Sequence, residues 1–209
     1  MTKPRIFYVC SYGGCGSKML CKYLSNFGIS VHIHSRNPPN MLEKVNDREW
    51  FQKGDKIPNT DIDKFTVIYI YRDVVKSIIS RHWHKKNNNS LKKNLRNIET
   101  EKKHWYLNNE EFIKSGKDLY GFEEFFNNYL YKKNKNYDIY CVKYEDFFSN
   151  IQEFNLTLKI PDNKEKYPIC KETKKPFKED DRKCLVKLYL PLNKKMSNLP
   201  FIYINKKNN

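Results

Sequence analysis

A cluster of glycines is the feature that most constrains this chain. Three of its seven glycines lie within four consecutive positions, at Gly13, Gly14 and Gly16. They follow an apolar run at Arg5–Cys10 and precede a helical pattern that begins at Ser17. Glycine lets the backbone turn sharply and bring its N–H groups close to a ligand, and the next helix points its positive end at the same place. The pattern predicts a strand, a phosphate-binding loop and a helix, with the Ser17 hydroxyl and the Lys18 ammonium beside the phosphate. An ordinary tight turn is the alternative.

Alternating strand and helix patterns predict the fold class. After the glycine cluster, apolar positions recur at helical spacing up to Phe27, and Gly28 is a stop signal. Strand patterns follow at Ile29–His34, Phe65–Tyr71 and Asp138–Tyr144, and helical patterns at 74–79, 122–130 and Asp180–Leu199. We therefore expect an α/β fold, with a mainly parallel central sheet flanked by helices in a three-layer sandwich. The last helix should bend or break at Pro191.

Length and composition limit the organisation of the chain. The 209 residues and the absence of a convincing linker predict a single domain over 1–209, with a polar excursion around 85–118 and an irregular basic segment around 159–180. No apolar run approaches the roughly 18–20 residues of a membrane span, and the stretch after Met1 is too short for an export signal. Six cysteines without a C-x-x-C pair indicate neither a zinc site nor a disulfide framework. We expect a reducing, cytoplasmic compartment.

The formal net charge of +16 would attract a polyanionic small ligand or a nucleic acid. Much of this charge comes from Lys- and Asn-rich tracts such as Lys85–Asn89 and Lys132–Asn136, whose codons are AT-rich. Base composition is therefore an alternative explanation of the charge. Aromatic residues alternate with lysines between Tyr120 and Tyr144, as single-strand binders require. Their spacing fits a core helix better, so we do not expect nucleic-acid binding.

The residues around the glycine cluster depart from the loop of the nucleoside triphosphatases, which reads G-x-x-x-x-G-K-[ST]. Here Ser17 precedes Lys18 and Met19 follows it, so the hydroxyl that would hold magnesium is missing. The third predicted strand runs into Arg72 rather than into a magnesium-binding acid, and Asp73 comes one residue later. A cation at that strand end suits a second phosphate and not a metal.

With these departures the sequence resembles the sulfotransferases that use 3′-phosphoadenosine 5′-phosphosulfate (PAPS), and especially the short, divergent sulfotransferase-like proteins of large DNA viruses. Ser11–Leu20 is similar to the family's loop for the 5′-phosphosulfate. Arg72 and Ser80, eight residues apart, are similar to its pair for the 3′-phosphate. Val142–Asp146 is similar to its late strand and acidic turn. The nucleotide-binding residues that the resemblance implies are Gly13, Gly14, Cys15, Gly16, Ser17, Lys18, Arg72 and Ser80.

The resemblance also implies a P-loop fold and an activity. A sulfuryl group would pass from PAPS to an acceptor hydroxyl without a metal, and 3′-phosphoadenosine 5′-phosphate (PAP) would leave. Many members of the family carry Lys or Arg where this chain has Gly14, and that cation neutralises the bridging oxygen as the S–O bond breaks. Its loss would cost about 10²–10³ in rate if nothing replaced it. Lys18 is one candidate for the replacement. Arg36 is a second candidate for the replacement. The other roles open to Arg36 are a contact with an anionic substrate group and a position at the surface.

A base for the acceptor hydroxyl is expected at His34 or His32. Both lie on one face of the second predicted strand, whose carboxyl end should lie beside the glycine loop. An ordinary histidine pKa of about 6.5 suits a base at neutral pH, and a hydrogen-bonded core histidine is the alternative for each. The H-x-H pair lacks a third ligand, so no metal site is expected. Glu145 and Asp146 are weaker base candidates, with helix capping or an ion pair as the alternative.

Candidates for the acceptor site follow the Arg72 segment. His82 and His84 would line this site together with Trp83, and Lys85–Lys103 would act as a lid. The basic stretch Lys171–Lys183 would either fold over the nucleotide or lie solvated at the surface. The acceptor carries a hydroxyl, and a glycan or a protein are among the candidates. For a viral protein the compartment would be the host cytoplasm.

Two other functional classes stay open at this point. One is a divergent P-loop kinase of a nucleoside or small metabolite, whose nucleotide binding would depend on magnesium. The other is a non-catalytic binder of a nucleotide or of nucleic acid. The presence of Gly14 where the family has the loop cation favours a protein that binds the nucleotide but does not catalyse sulfuryl transfer.

Overall fold

A computed structural model describes residues 5–33, 35–38, 65–82, 109–170 and 176–207. These residues form one five-stranded sheet. Its strands are β1 (Ile6–Cys10), β2 (Ile29–Ile33), β3 (Phe65–Tyr71), β4 (Ile139–Lys143) and β5 (Ile202–Asn205). The spatial order is β2-β1-β3-β4-β5; the first four strands are parallel, and β5 is antiparallel to β4.

Helices flank this sheet in the described ranges. They are α1 (Ser17–Leu24), α2 (Val74–Ser77), α3 (Asn109–Ser115), α4 (Phe122–Tyr131), α5 (Tyr144–Phe147), α6 (Ile151–Leu158) and α7 (Glu179–Ser197). A π-helical turn at Ile78–His82 continues α2, and a 3₁₀ turn lies at Lys164–Lys166. No helix in these ranges is long and apolar enough to span a membrane.

Strand β3 follows the predicted bounds, and all five residues of β1 are buried. Both strands are almost entirely apolar, with Thr66 of β3 as the exception, because they are covered on both faces. Alternate residues point to opposite sides. One face packs on α4 and α7, and there Tyr69 stacks on Tyr129 with ring centroids 4.6 Å apart. The other face packs on α1 and α6, where Phe7 and Phe154 are buried. The predicted α/β architecture with a mainly parallel sheet between two helical layers is confirmed.

The order of the strands positions the functional site. From β1 the chain crosses to β2 on one side, and β3 then lies on the other side of β1. Ligands of open α/β sheets bind beyond the carboxyl ends of the strands at such a reversal. In register, Cys10 at the end of β1 lies between Ile33 of β2 and Tyr69 of β3. The glycine cluster and Arg72 therefore leave the sheet at the same edge.

The C-terminal part differs from the expectations. The predicted break at Pro191 does not occur, because α7 runs from Glu179 to Ser197 and Pro191 lies on its exposed side. Its buried side chains, which include Tyr189 and Met196, pack on the core and hold the helix together around the proline. Strand β5 was not predicted. The basic segment around 159–180 is irregular where it is described, apart from the 3₁₀ turn and the first two residues of α7. Of the polar excursion around 85–118, residues 85–108 lie outside the described residues, and Asn109–Ser115 form α3.

Candidate anion-binding site

The glycine loop turns through three left-handed residues. The φ angles of Gly13, Gly14 and Gly16 are 98°, 75° and 78°. L-residues with a side chain rarely adopt this conformation, so glycine is required here. The Ser11 hydroxyl sits inside the turn, where it accepts the Gly13 N–H at 3.2 Å and donates to the Ser17 hydroxyl at 2.9 Å. The loop is therefore held in shape by its own hydrogen bonds.

Two of these glycines are also sites of close packing. A Cβ at Gly14 would lie 2.6 Å from the carbonyl oxygen of Ser77, in α2. A Cβ at Gly16 would lie 2.3 Å from the ring of Tyr144, at the start of α5. The chain therefore has no space for a lysine at position 14 unless α2 moves. This contact is a structural reason for glycine at position 14.

The start of α1 carries positive potential. Its N-cap is Gly16, no side chain caps the helix, and its first turn holds no acidic residue. The first N–H groups of a helix lack partners within the helix, and the helix dipole adds partial positive charge at the same end. Lys18 is exposed one residue into the helix, whereas Ser17 is buried. This end of α1 suits an anion.

Arg72 lies against the glycine loop. Its Nη1 donates to the carbonyl oxygen of Gly14 at 3.3 Å, and its own carbonyl oxygen accepts the Tyr12 hydroxyl at 2.5 Å. The guanidinium also lies over the Tyr144 ring, 4.7 Å from its centroid. These contacts tie the end of β3 to the loop after β1 and place a fixed positive charge there. Tyr12 and Tyr144 were not singled out from the sequence, although Tyr144 lies in the segment Val142–Asp146 that resembled the family.

Ser80 lies in the π-helical turn and is half-buried. Cys15, in the loop, is fully buried, and its thiol donates to the carbonyl oxygen of Gly13 at 3.3 Å. Burial raises the pKa of Cys15 to about 12, so the thiol stays protonated at neutral pH. Cys15 therefore packs beneath the loop and contributes only main-chain groups to an anion site.

Of the two histidines predicted as the base, the structure describes His32. His32 is half-buried on β2, where it lies beside Val9 of β1 in register. His34 and His84 lie outside the described residues, and so do the side chain of His82 and the lid segment 85–103. The roles of these histidines in catalysis and acceptor binding stay predictions.

Arg36 has a structural role in place of the substrate contact, the loop cation or the surface position that the sequence suggested. Only 1% of the residue is exposed. Its guanidinium donates to Glu124 at 2.9 Å and to the carbonyl oxygen of Tyr120 at 3.2 Å. Gly121 makes room for it, since a Cβ there would lie 1.8 Å from Nη2. Arg36 thus ties the segment after β2 to the start of α4.

The carboxylates near the loop are engaged with the protein. Asp73 caps α2, and its Oδ1 accepts the Lys76 N–H at 2.8 Å. Asp146 pairs with Lys143 at 3.2 Å. Glu145 accepts the Asp73 N–H at 3.1 Å and lies 3.7 Å from Nε of Arg72. Glu145 and Asp146 therefore form ion pairs, which is the alternative to a role as the base. Among the described residues, no three His, Cys, Asp or Glu side chains are grouped as metal ligands.

Comparison with known proteins found no match to a family model, a curated protein or a solved structure. The functional argument therefore depends on the geometry of the site. At one edge of the sheet, a loop of left-handed glycines, the uncapped start of α1 and the guanidinium of Arg72 lie together. This combination favours a ligand with more than one anionic group.

Proposed function

We propose that the chain is a sulfotransferase-like enzyme that binds PAPS and transfers its sulfuryl group to an acceptor hydroxyl without a metal. The observation that carries the proposal is the hydrogen bond from Arg72 to the carbonyl oxygen of Gly14. It puts a guanidinium beside the positive end of α1, so two separate anionic groups of one nucleotide would find partners at one edge of the sheet.

The two ends of the nucleotide have different partners in this proposal. The loop Gly13–Ser17 and Lys18 hold the 5′-phosphosulfate with main-chain N–H groups, a hydroxyl and an ammonium. Arg72, with Ser80 in the turn after α2, holds the 3′-phosphate. The residues fit such a ligand because the start of α1 has no capping side chain and no acid that would compete with it.

The transfer itself needs a base and a positive charge. The acceptor hydroxyl gives its proton to His34 or His32 and attacks sulfur; the new O–S bond forms as the bond from sulfur to the bridging oxygen breaks, and PAP leaves. Negative charge develops on that oxygen. Because Gly14 packs against Ser77, Lys18 is our candidate for stabilising the charge, by positioning and electrostatics. The acceptor is a hydroxyl compound, with a glycan or protein as candidates.

The P-loop kinase alternative has weaker support. A magnesium-dependent kinase needs a hydroxyl after the loop lysine and an acid at the end of the third strand. Met19 occupies the first position, and Asp73, the acid that follows the third strand in the chain, uses its carboxylate to cap α2. We expect this carboxylate to act in folding rather than in metal binding.

Calorimetric titration tests the proposal. In EDTA, adenosine 3′,5′-bisphosphate should bind with micromolar or tighter affinity, and ATP with magnesium should not bind. Arg72→Ala should weaken the bisphosphate by about ten- to a hundredfold, as for one charge-assisted hydrogen-bonding partner, and leave adenosine 5′-monophosphate within about twofold. The control is Lys187→Ala, which removes an exposed cation from α7 outside the basic stretch Lys171–Lys183. Equal losses for both nucleotides in the Arg72 variant would show that the 3′ site is elsewhere.

Turnover separates an enzyme from a binder. In His34→Ala, sulfuryl transfer from PAPS should fall while the affinity for the bisphosphate is largely retained. Lys18→Ala should lower both, because its ammonium also contacts the 5′-phosphate in this proposal. Wild-type protein that binds the bisphosphate but transfers no sulfuryl group to any hydroxyl acceptor would support the non-catalytic alternative.

A further inference from the structure

Glu145 lies against the guanidinium of Arg72, which belongs to the proposed 3′-phosphate site. Its Oε1 accepts the main-chain N–H of Asp73 at 3.1 Å and lies 3.7 Å from Nε of Arg72. The Arg72 and Glu145 side chains are 24% and 30% exposed, although Nε of Arg72 itself is buried, so a ligand can reach the rest of the guanidinium and the carboxylate. A carboxylate of the chain therefore sits where an anionic ligand would meet the guanidinium.

Glu145 is not needed to orient Arg72. The guanidinium already donates to the carbonyl oxygen of Gly14 and lies over the ring of Tyr144, 4.7 Å from its centroid. Both contacts are independent of the carboxylate. The main electrostatic effect of Glu145 is to offset the charge of Arg72, and a phosphate that approaches Arg72 must displace or repel this carboxylate.

We propose that Glu145 is a specificity-determining residue of the nucleotide site, an internal competitor for Arg72. This inference rests on the proposed function. A 3′-phosphate dianion brings more charge than the carboxylate and replaces it at Arg72. A nucleotide with a 3′-hydroxyl leaves the ion pair in place and gains nothing from Arg72. The same competition speeds release of the bisphosphate product, because the carboxylate returns to its ion pair with Arg72 when the phosphate leaves.

Asp146 provides a matched control. It is the next residue in the chain and carries the same charge, but it pairs with Lys143 at 3.2 Å rather than with Arg72. Asp146→Asn and Glu145→Gln change the net charge equally. Glutamine at position 145 keeps a carbonyl oxygen that can accept the Asp73 N–H, so we expect the fold to stay the same.

The experiment compares these two variants with the wild type in titrations with adenosine 3′,5′-bisphosphate and adenosine 5′-monophosphate. For a partly exposed site in physiological salt, loss of the carboxylate should tighten binding of the bisphosphate by about five- to tenfold. The monophosphate should stay within about twofold, and Asp146→Asn should leave both ligands within about twofold. Unchanged or weaker bisphosphate binding in Glu145→Gln overturns the inference, and so does an equal gain in Asp146→Asn.

Two further measurements separate this inference from the proposed function. Inorganic pyrophosphate serves as a probe without a nucleoside: if its binding is lost in Arg72→Ala and tightened in Glu145→Gln, the competition stands even where the bisphosphate does not bind. The NMR signal of the Arg72 Nε–H should shift in Glu145→Gln, because a charge 3.7 Å from Nε is lost, but not in Asp146→Asn. If that signal is the same in both variants, the inference is wrong whichever ligand the protein binds.

Discussion

Replacing Gly14 by alanine tests how tightly the glycine loop packs on α2. The new methyl group would lie 2.6 Å from the carbonyl oxygen of Ser77 and 3.0 Å from its Cα. Both are main-chain atoms of a fully buried residue, so they cannot yield as the end of a flexible side chain would. The loop or α2 must move to admit it.

The expected cost has two parts. An L-residue at a φ of 75° costs about 1 kcal/mol relative to glycine. Overpacking against fixed backbone adds about 1–3 kcal/mol. We therefore expect Gly14→Ala to lower the free energy of unfolding by about 2–4 kcal/mol, a large share of the stability of an ordinary domain.

Gly116 is the matched control. It has a similar φ of 59°, but nothing lies within 4 Å of a Cβ built on it. Gly116→Ala therefore carries only the conformational part, about 1 kcal/mol. Urea unfolding of both variants, followed by circular dichroism with unchanged m-values, gives the two free energies. The difference between them isolates the contact with Ser77.

The reasoning fails if Gly14→Ala is no less stable than Gly116→Ala, since the loop would then not be packed on α2. A ligand titration adds a second readout. If the alanine at position 14 displaces the loop, adenosine 3′,5′-bisphosphate should bind more weakly to Gly14→Ala and unchanged to Gly116→Ala.

Three further predictions concern the surroundings of the site. Asp73→Ala should lower stability by about 1 kcal/mol in urea unfolding, whereas Asp73→Asn, which still caps α2, should lose much less; equal losses would argue against the cap. Arg36→Ala should cost about 2–4 kcal/mol because buried carbonyl oxygens lose their donor, and Glu124→Ala should cost less, because the buried guanidinium loses its carboxylate but keeps the carbonyl oxygen of Tyr120; the reverse order would contradict the packing role. The hydrogen bond from Tyr167 lowers the pKa of Asp162, so its contribution to stability is present above the pKa of unfolded Asp and is lost as pH falls through the lower folded value. Acid titration of stability should therefore be less steep below about pH 4 in Asp162→Asn than in the wild type.

Local patterns determined most of the fold from the sequence alone. The apolar run Phe65–Tyr71 marks β3 at its observed bounds, and the aromatic spacing from Phe122 onward marks α4. The glycine cluster lies where the chain turns from β1 into α1. The sequence predicts these features because a buried strand, an amphipathic helix and a left-handed turn each have a characteristic pattern within a few consecutive residues.

The sequence also put Arg72 at a strand end, but not its partners. Its contact with Gly14 joins residues 58 positions apart, and the capping role of Asp73 depends on where α2 begins. The positions of these residues directly after parallel strands predict that they share an edge of the sheet. It does not predict which atoms meet.

Tertiary structure decided the remaining features. Arg36 is buried because Glu124, 88 residues away, and the space at Gly121 are brought to it by the packing of α4 on the sheet. Helix α7 continues through Pro191 because its buried face packs on the core, and β5 exists only through its pairing with β4. Glu145 meets Arg72 for the same reason, since neighbouring parallel strands bring their carboxyl ends together. Side chains distant in sequence acquire their partners only when the sheet assembles. Local periodicity therefore does not predict these contacts.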